Sequence, residues 1–196
     1  MRKAAFCLLA AALMSGCGAA PVKRYFEIRT IGGAEPPLPR LERRICVEPA
    51  AVDSPYDDTR ILYRVTPYEL KYYPYEFWVD RPGRQVAAAM AEFLAKMKVF
   101  PVVTEDRTKG EPEILLRSRL HAVEEIDGAD IWEGRLAMDI EFLDAKSGAP
   151  IVTWAFDRKT QMLKREVGIL PAVLSRILDE ELRKAVWELA HALEKK

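Results

Sequence analysis

A chain of 196 residues with 30 Lys and Arg against 30 Asp and Glu carries no net formal charge. That balance argues against a nucleic-acid partner and against a purely electrostatic hold on anionic lipid. Two histidines and three cysteines leave little material for a metal centre or a disulfide framework.

The N-terminus comes first in the chain and bears most on function. Met1-Arg2-Lys3 is a short basic start, and Ala4 to Leu13 is an apolar run. At about ten residues it is half the roughly 20 that a spanning helix needs. Small residues follow it, so residues 1–16 read as a secretory signal peptide. Leu13-Met14-Ser15-Gly16-Cys17 resembles a lipobox, with Met14 where Leu is usual. The competing reading is an ordinary signal peptide cut near Ala19-Ala20. On the lipobox reading Cys17 is the lipidation site, and 28 basic against 30 acidic residues remain after cleavage. The remainder has the size of one domain. Cys7 leaves with the signal, which makes Cys46 a lone thiol, expected to be buried in a strand. No other apolar run is long enough to span a membrane.

Residues 17–23 form the lipidated tether, and residues 24–196 a single domain. Arg24 to Arg29 is the first expected strand. Thr30 to Arg40, with two Gly and three Pro, is a loop. Leu41 to Val47 is a second strand and Arg60 to Val65 a short extended run. Asp80 to Gly83 breaks the chain before a helix at Arg84 to Lys98, where Val86, Met90, Phe93, Leu94 and Met97 share one stripe. A strand at Val99 to Thr104 and a turn at Asp106 to Pro112 follow.

Two long alternating runs come next. Ile114, Leu116, Leu120 and Ala122 share one face of the first, against Arg117, Arg119 and His121 on the other. Leu136, Met138, Ile140 and Phe142 share one face of the second. Asp144 to Gly148 is a hairpin loop, and the return strand runs from Pro150 to about Met162. Pro171 to Leu193 is a strong amphipathic helix, with Pro171 in its first turn. These elements predict an α+β two-layer domain: a mainly antiparallel sheet with two amphipathic helices packed on one face.

Catalytic chemistry finds no foothold. His121 and His191 have no metal-ligand companion at fixed spacing, and no nucleophile elbow or phosphate-cradling glycine loop is present. The adjacent carboxylates Asp57-Asp58 and Glu124-Glu125 should point apart in a strand or loop. The expectation is a non-enzyme that needs no cofactor and no metal. The unusual segment is Tyr63 to Trp78, aromatic-rich and interrupted by Pro67 and Pro74. Read as a loop, it offers Tyr68, Tyr72, Tyr73, Tyr75, Phe77 and Trp78 as a partner-binding surface. The alternative is a lid folded over the core, because so much aromatic surface is costly to leave wet.

Arg60-Ile61-Leu62-Tyr63-Arg64, Pro67-Tyr68-Glu69, Tyr72-Tyr73, Trp78 and Pro82 together resemble the auxiliary lipoproteins of Mce-type ABC transporters, the PqiC-like family. The likeness extends from the Tyr25-Phe26 strand to the Ser147-Gly148 hairpin and the final helix. Here Asp80-Arg81 stands between Trp78 and Pro82. The resemblance implies a non-enzymatic outer-membrane lipoprotein, lipid-anchored and facing the periplasm. Its partners would be a periplasmic Mce-domain protein with its ABC permease and ATPase, in phospholipid transport between inner and outer membranes. Homo-oligomerisation stays open. Gly18 lacks the Asp that retains lipoproteins in the inner membrane of enteric-type bacteria, which agrees with outer-membrane placement. A lipoprotein of another periplasmic machine, such as a cell-wall synthase activator or a secretion-channel component, is the alternative.

Overall fold

The structure, a computed structural model, describes residues 21–32, 37–128 and 131–195. The signal segment, Cys17 and Gly18 lie outside the described residues. In chain order the strands and helices are β1 (Arg24–Phe26), β2 (Arg44–Val47), β3 (Ala51–Val52), β4 (Arg60–Thr66), β5 (Glu69–Trp78), α1 (Pro82–Lys96), β6 (Val102–Thr104), β7 (Ile114–Asp127), β8 (Trp132–Asp144), β9 (Pro150–Gln161) and α2 (Leu170–Glu194). A 3-10 turn at Val167–Ile169 leads into α2.

The meander expected from the alternating runs is β7-β8-β9, antiparallel throughout. Along the other edge of β7, three short strands lie end to end and parallel to it. β2 pairs with Ile114 to Leu116, β3 with Arg119 and Leu120, and β4 with Glu125 and Ile126. β6 adds to β2 in parallel, β5 to β4 antiparallel, and β1 to β5 in parallel. The sheet is mostly antiparallel, as expected, but it is mixed: it also carries short parallel pairs that the alternation did not announce. Its long ladders are antiparallel and its short pairings at the β7 edge and at β1 are parallel. Parallel partners are joined by loops or by α1 rather than by tight turns, so no turn chemistry announces them.

Leu120 pairs with Met138 but Ala122 with Ala137, a one-residue bulge at His121. The in-and-out alternation changes phase there. Val123, opposite Leu136, continues the apolar row of Leu116 and Leu120 in place of Ala122. Glu125, opposite Gly134, then falls on the same side. A Cβ on Gly134 would stand 2.8 Å from Val173 Cγ1, so this is the side covered by α2.

Both helices and the sheet contribute to one apolar cluster that includes Trp78, Met90, Phe93, Phe142, Leu174 and Leu182. α1 begins at Pro82, earlier than the break at Asp80 to Gly83 suggested, because Pro suits the first turn. Gly83 is required there: a Cβ would stand 2.5 Å from the Ala50 carbonyl oxygen. Cys46 is buried with Leu115 and Leu143 in a second, small cluster. Burial raises its thiol pKa. Side chains from both helices pin the segment after β1. Gln85 Oε1 accepts from Ile28 N–H at 3.0 Å, and Ser175 Oγ from Arg29 N–H at 3.1 Å. Asp179 Oδ2 accepts from the Ile31 and Gly32 amides at 2.8 and 2.9 Å. No helix among the described residues is long and apolar enough to cross a membrane.

Candidate partner surface and the charged network beneath it

The aromatic segment is a strand, not a loop. β4 and β5 form a hairpin whose turn is Pro67-Tyr68, between the paired Thr66 and Glu69. Leu62 pairs with Tyr72, but Arg60 pairs with Phe77, so β5 carries extra residues between Tyr72 and Phe77. Pro74 lies in that bulged stretch, where the ladder asks for no amide donor.

The segment divides by burial. Trp78 is 2% exposed and lies in the core. Tyr72 is half-buried; its hydroxyl donates to the Pro55 carbonyl at 2.8 Å, and the Arg60 guanidinium stands 4.2 Å from its ring centre. Tyr73 is half-buried too, 4.5 Å from the Tyr63 ring, and its hydroxyl donates to Glu125 Oε1 at 2.8 Å. Phe77 is half-buried and stacks on Tyr25 of β1 at 5.6 Å, with Lys23 Nζ 5.3 Å from its ring centre. Tyr75 and Tyr25 are exposed, and Tyr68 is 98% exposed. The segment is thus part core and part surface: Tyr25 and Phe77 stack at the β1–β5 edge, and the exposed Tyr75 stands two residues before Phe77 in the same strand. Arg24 locks that edge through a two-pronged pair with Glu76, its register partner.

Glu124 and Glu125 point to opposite sides of the sheet, as expected for neighbours in a strand, and both are buried. Glu124 is fully paired. It accepts from Arg64 Nε at 3.0 Å, Arg135 Nη1 at 2.8 Å and the Tyr56 hydroxyl at 2.9 Å. Arg135 also grips Asp157 with two hydrogen bonds of 2.8 and 2.7 Å, which hold the Asp157 carboxyl below the usual range. Arg64 donates onward to the Pro67 carbonyl at 3.1 Å and so braces the β4–β5 turn. Beside this network lies a cleft of about 460 Å³ lined by Arg64, Pro67, Ile126, Arg135 and Lys159. Glu125 accepts from Tyr73 and from Trp132 Nε1 at 2.5 Å through Oε1, while its buried Oε2 has no hydrogen-bond partner among the described residues. Burial pushes its pKa up, against the lowering by the Tyr73 and Trp132 bonds.

On the outward side of β7, His121 is clamped between Asp53 and Asp139, with ring-nitrogen distances of 2.7 and 2.8 Å. Those two bonds, Asp139 first, raise the imidazole pKa. Arg119 shares Asp53 at 2.7 Å, and Arg117 reaches Glu48 at 3.2 Å. The arrangement satisfies the charges of the sheet surface by cross-strand pairing. His191 sits in the last turn of α2. Among the described residues no group of three His, Cys, Asp or Glu could hold a metal ion.

Sequence reasoning missed the partners of Glu124 and Glu125. A signal was there: two adjacent carboxylates inside Ala122-Val123-Glu124-Glu125-Ile126 must either break the strand or find buried donors.

No family model matches the chain, and no curated protein matches it. Among solved structures the fold is similar to that of XCC0632 from Xanthomonas campestris, described by the family model DUF330. The TM-score is 0.75 at 14% identity, covering 88% of this chain and 98% of that one. An uncharacterised protein matches with a TM-score of 0.69 at 13% identity, over 86% of this chain and 99% of its own. PelC from Paraburkholderia phytofirmans, solved as a dodecamer, matches with a TM-score of 0.50 at 16% identity, over 79% and 92%. At these identities the likeness is one of fold alone.

Proposed function

We propose that this chain is an outer-membrane-anchored auxiliary lipoprotein of an Mce-type ABC transport system. It docks partners in phospholipid transport and catalyses no reaction. The observation that carries the reading is the aromatic hairpin. The residues behind the PqiC-like resemblance build an ordered strand pair, with core anchors at Tyr72, Tyr73 and Trp78 and further aromatics, Tyr25, Tyr75 and Phe77, along the β1–β5 edge. The fold shared with XCC0632, a DUF330 protein, is the one that PqiC-like membership calls for. Lipidation at Cys17 supplies the anchor, and Gly18 permits sorting to the outer membrane.

These edge aromatics are the docking surface for the Mce-domain partner. Rigid aromatics bring large contact area at low entropic cost, and a few of them commonly dominate an interface. Capture of the purified Mce-domain protein by the full chain tests this. Tyr75→Ala and Phe77→Ala should each weaken capture by roughly thirtyfold, the loss expected of a ~2 kcal/mol interface residue. Unchanged capture in both variants contradicts the assignment.

PelC, of similar fold, was solved as a dodecamer, which raises homo-oligomerisation for this chain, whether in lipid transport or in another periplasmic assembly. A homo-oligomer of this chain would fit either reading, and its mass in solution separates monomer from ring.

A further inference from the structure

Among the described residues the two most exposed large apolar side chains, Tyr68 at 98% and Leu163 at 96%, stand at the same end of the sheet. Tyr68 occupies the β4–β5 turn, Leu163 follows β9, and the exposed Ile131 precedes β8. The ladders bring these turns together. Thr66 pairs with Glu69, Arg64 with Ile126, Asp127 with Trp132, and Glu133 with Gln161. The turns therefore cap five neighbouring strands, β5-β4-β7-β8-β9, a rim roughly 20 Å wide at ~4.8 Å per strand. Cations stand among them. Lys164 adjoins Leu163, Lys159 lines the cleft beside Pro67, and Arg165 lies 5.3 Å from the Trp132 ring centre. Of the nearby acids, Asp127 and Glu69 are paired with Arg165 and Lys71; Glu133 lies on β8 beside Gln161 and Glu166 follows Arg165.

The course of the chain says what this rim faces. β1 runs parallel to β5, with Arg24 beside Glu76, so the chain before Arg24 comes from the Glu69 side. Cys17 lies seven residues before Arg24, as Glu69 lies seven before Glu76. At ~3.3 Å per residue seven extended residues reach about 23 Å, and the bulge between Tyr72 and Phe77 makes the span from Glu69 to Glu76 shorter than that. An acylated Cys17 can therefore stand level with Tyr68. Val22, 81% exposed, lies on that stretch. The Gln85, Ser175 and Asp179 bonds described above hold the segment after β1 in place, which fixes the side from which the tether enters.

We propose that this rim lies on the phospholipid bilayer that holds the anchor. Tyr68, Ile131 and Leu163 enter the headgroup zone, and Lys159 and Lys164 approach the phosphates. Aromatic side chains with a polar tip favour that zone, and long cationic side chains extend their charge to the interface while burying their stems. The inference rests on the lipoprotein reading. It leaves Tyr25, Tyr75 and Phe77 free for a partner, because they lie along the β1–β5 edge rather than on the rim.

The test uses the full acylated chain in phosphatidylcholine–phosphatidylglycerol vesicles that contain a lipid with a nitroxide headgroup. Tyr68→Cys, Leu163→Cys and, at the opposite end of the sheet, Ser147→Cys are each labelled with a fluorophore; Cys46 is buried and Cys17 is acylated. The expected result is several-fold stronger quenching at positions 68 and 163 than at 147. Equal quenching at all three positions, in protein that carries acyl chains and floats with the vesicles, overturns the proposal and leaves the anchor reading standing. Labels at 68 and 163 shielded from aqueous iodide yet untouched by the nitroxide would show that the rim faces protein, and the proposal fails. A chain that neither carries acyl groups nor floats overturns the anchor reading and this inference together.

Discussion

Truncating the aromatic segment one residue at a time should yield a graded series of stabilities. Trp78 is 2% exposed and packs in the main core. Cutting a buried aromatic to Ala typically costs about 3–5 kcal/mol, the lost transfer energy plus the cavity left behind. For a domain of this size each kcal/mol lowers the melting midpoint by roughly 2–4 °C. Trp78→Ala should therefore melt roughly 6–20 °C below the parent chain. Tyr73→Phe removes one of the two donors to Glu125 Oε1, which keeps its bond from Trp132, at a cost of about 1 kcal/mol, and should fall between. Tyr68→Ala removes a side chain that is 98% exposed. Its effect should stay within about 0.5 kcal/mol, less than about 2 °C. Melting followed by circular dichroism on the three variants checks the order. If Tyr68→Ala melts as low as Trp78→Ala, the segment is not the hairpin described here, and the division into core and surface residues fails with it.

Glu124→Ala strips the shared carboxylate from Arg64, Arg135 and Tyr56. Arg135 keeps Asp157, but the half-buried Arg64 guanidinium loses its carboxylate, which should cost about 3 kcal/mol, seen as a lower urea midpoint with an unchanged slope. The His121 clamp should make stability pH-dependent. The folded pKa is raised, so its contribution is complete below the unfolded value of about 6.5 and is lost as pH rises through the higher folded value. His121→Asn should remove that stretch of the pH profile of the melting midpoint, and an unaltered profile would refute the clamp. Glu125 has a raised pKa as well. Its contribution is complete below the unfolded value of about 4.3 and is lost as pH rises, so Glu125→Gln should gain on the parent chain between acid and neutral pH. Gly18→Asp should move the protein from outer to inner membrane in an enteric-type host, as measured by density fractionation.

Much of this architecture was legible in the residues. α2 was expected at Pro171 to Leu193 and spans Leu170–Glu194, because a long stripe of Leu, Ile and Val at helical spacing has no other economical burial. The β7-β8-β9 meander was legible for the parallel reason, a two-residue alternation carried over long runs. β5 was not. Pro67 and Pro74 read as breaks, whereas Pro67 occupies the turn before β5 and Pro74 a bulge within it that needs no donor. The bulge at His121 moved Ala122 out of the apolar row and placed Glu125 on the helix side, a phase change that no pattern in β7 alone discloses. The parallel strands along β7 depend on contacts between segments far apart in the chain, such as Arg64 with Ile126, and short-range periodicity does not encode those.

Metabolic labelling reads out the proposed lipid anchor on Cys17 and its place in the outer membrane. Expressed in full in a Gram-negative host with radioactive palmitate, the protein should take up label, mature by cleavage before Cys17 and fractionate with the outer membrane. Cys17→Ala should take up none and remain uncleaved. Label retained by Cys17→Ala, or absent from the parent chain, would rule out a lipid anchor at Cys17.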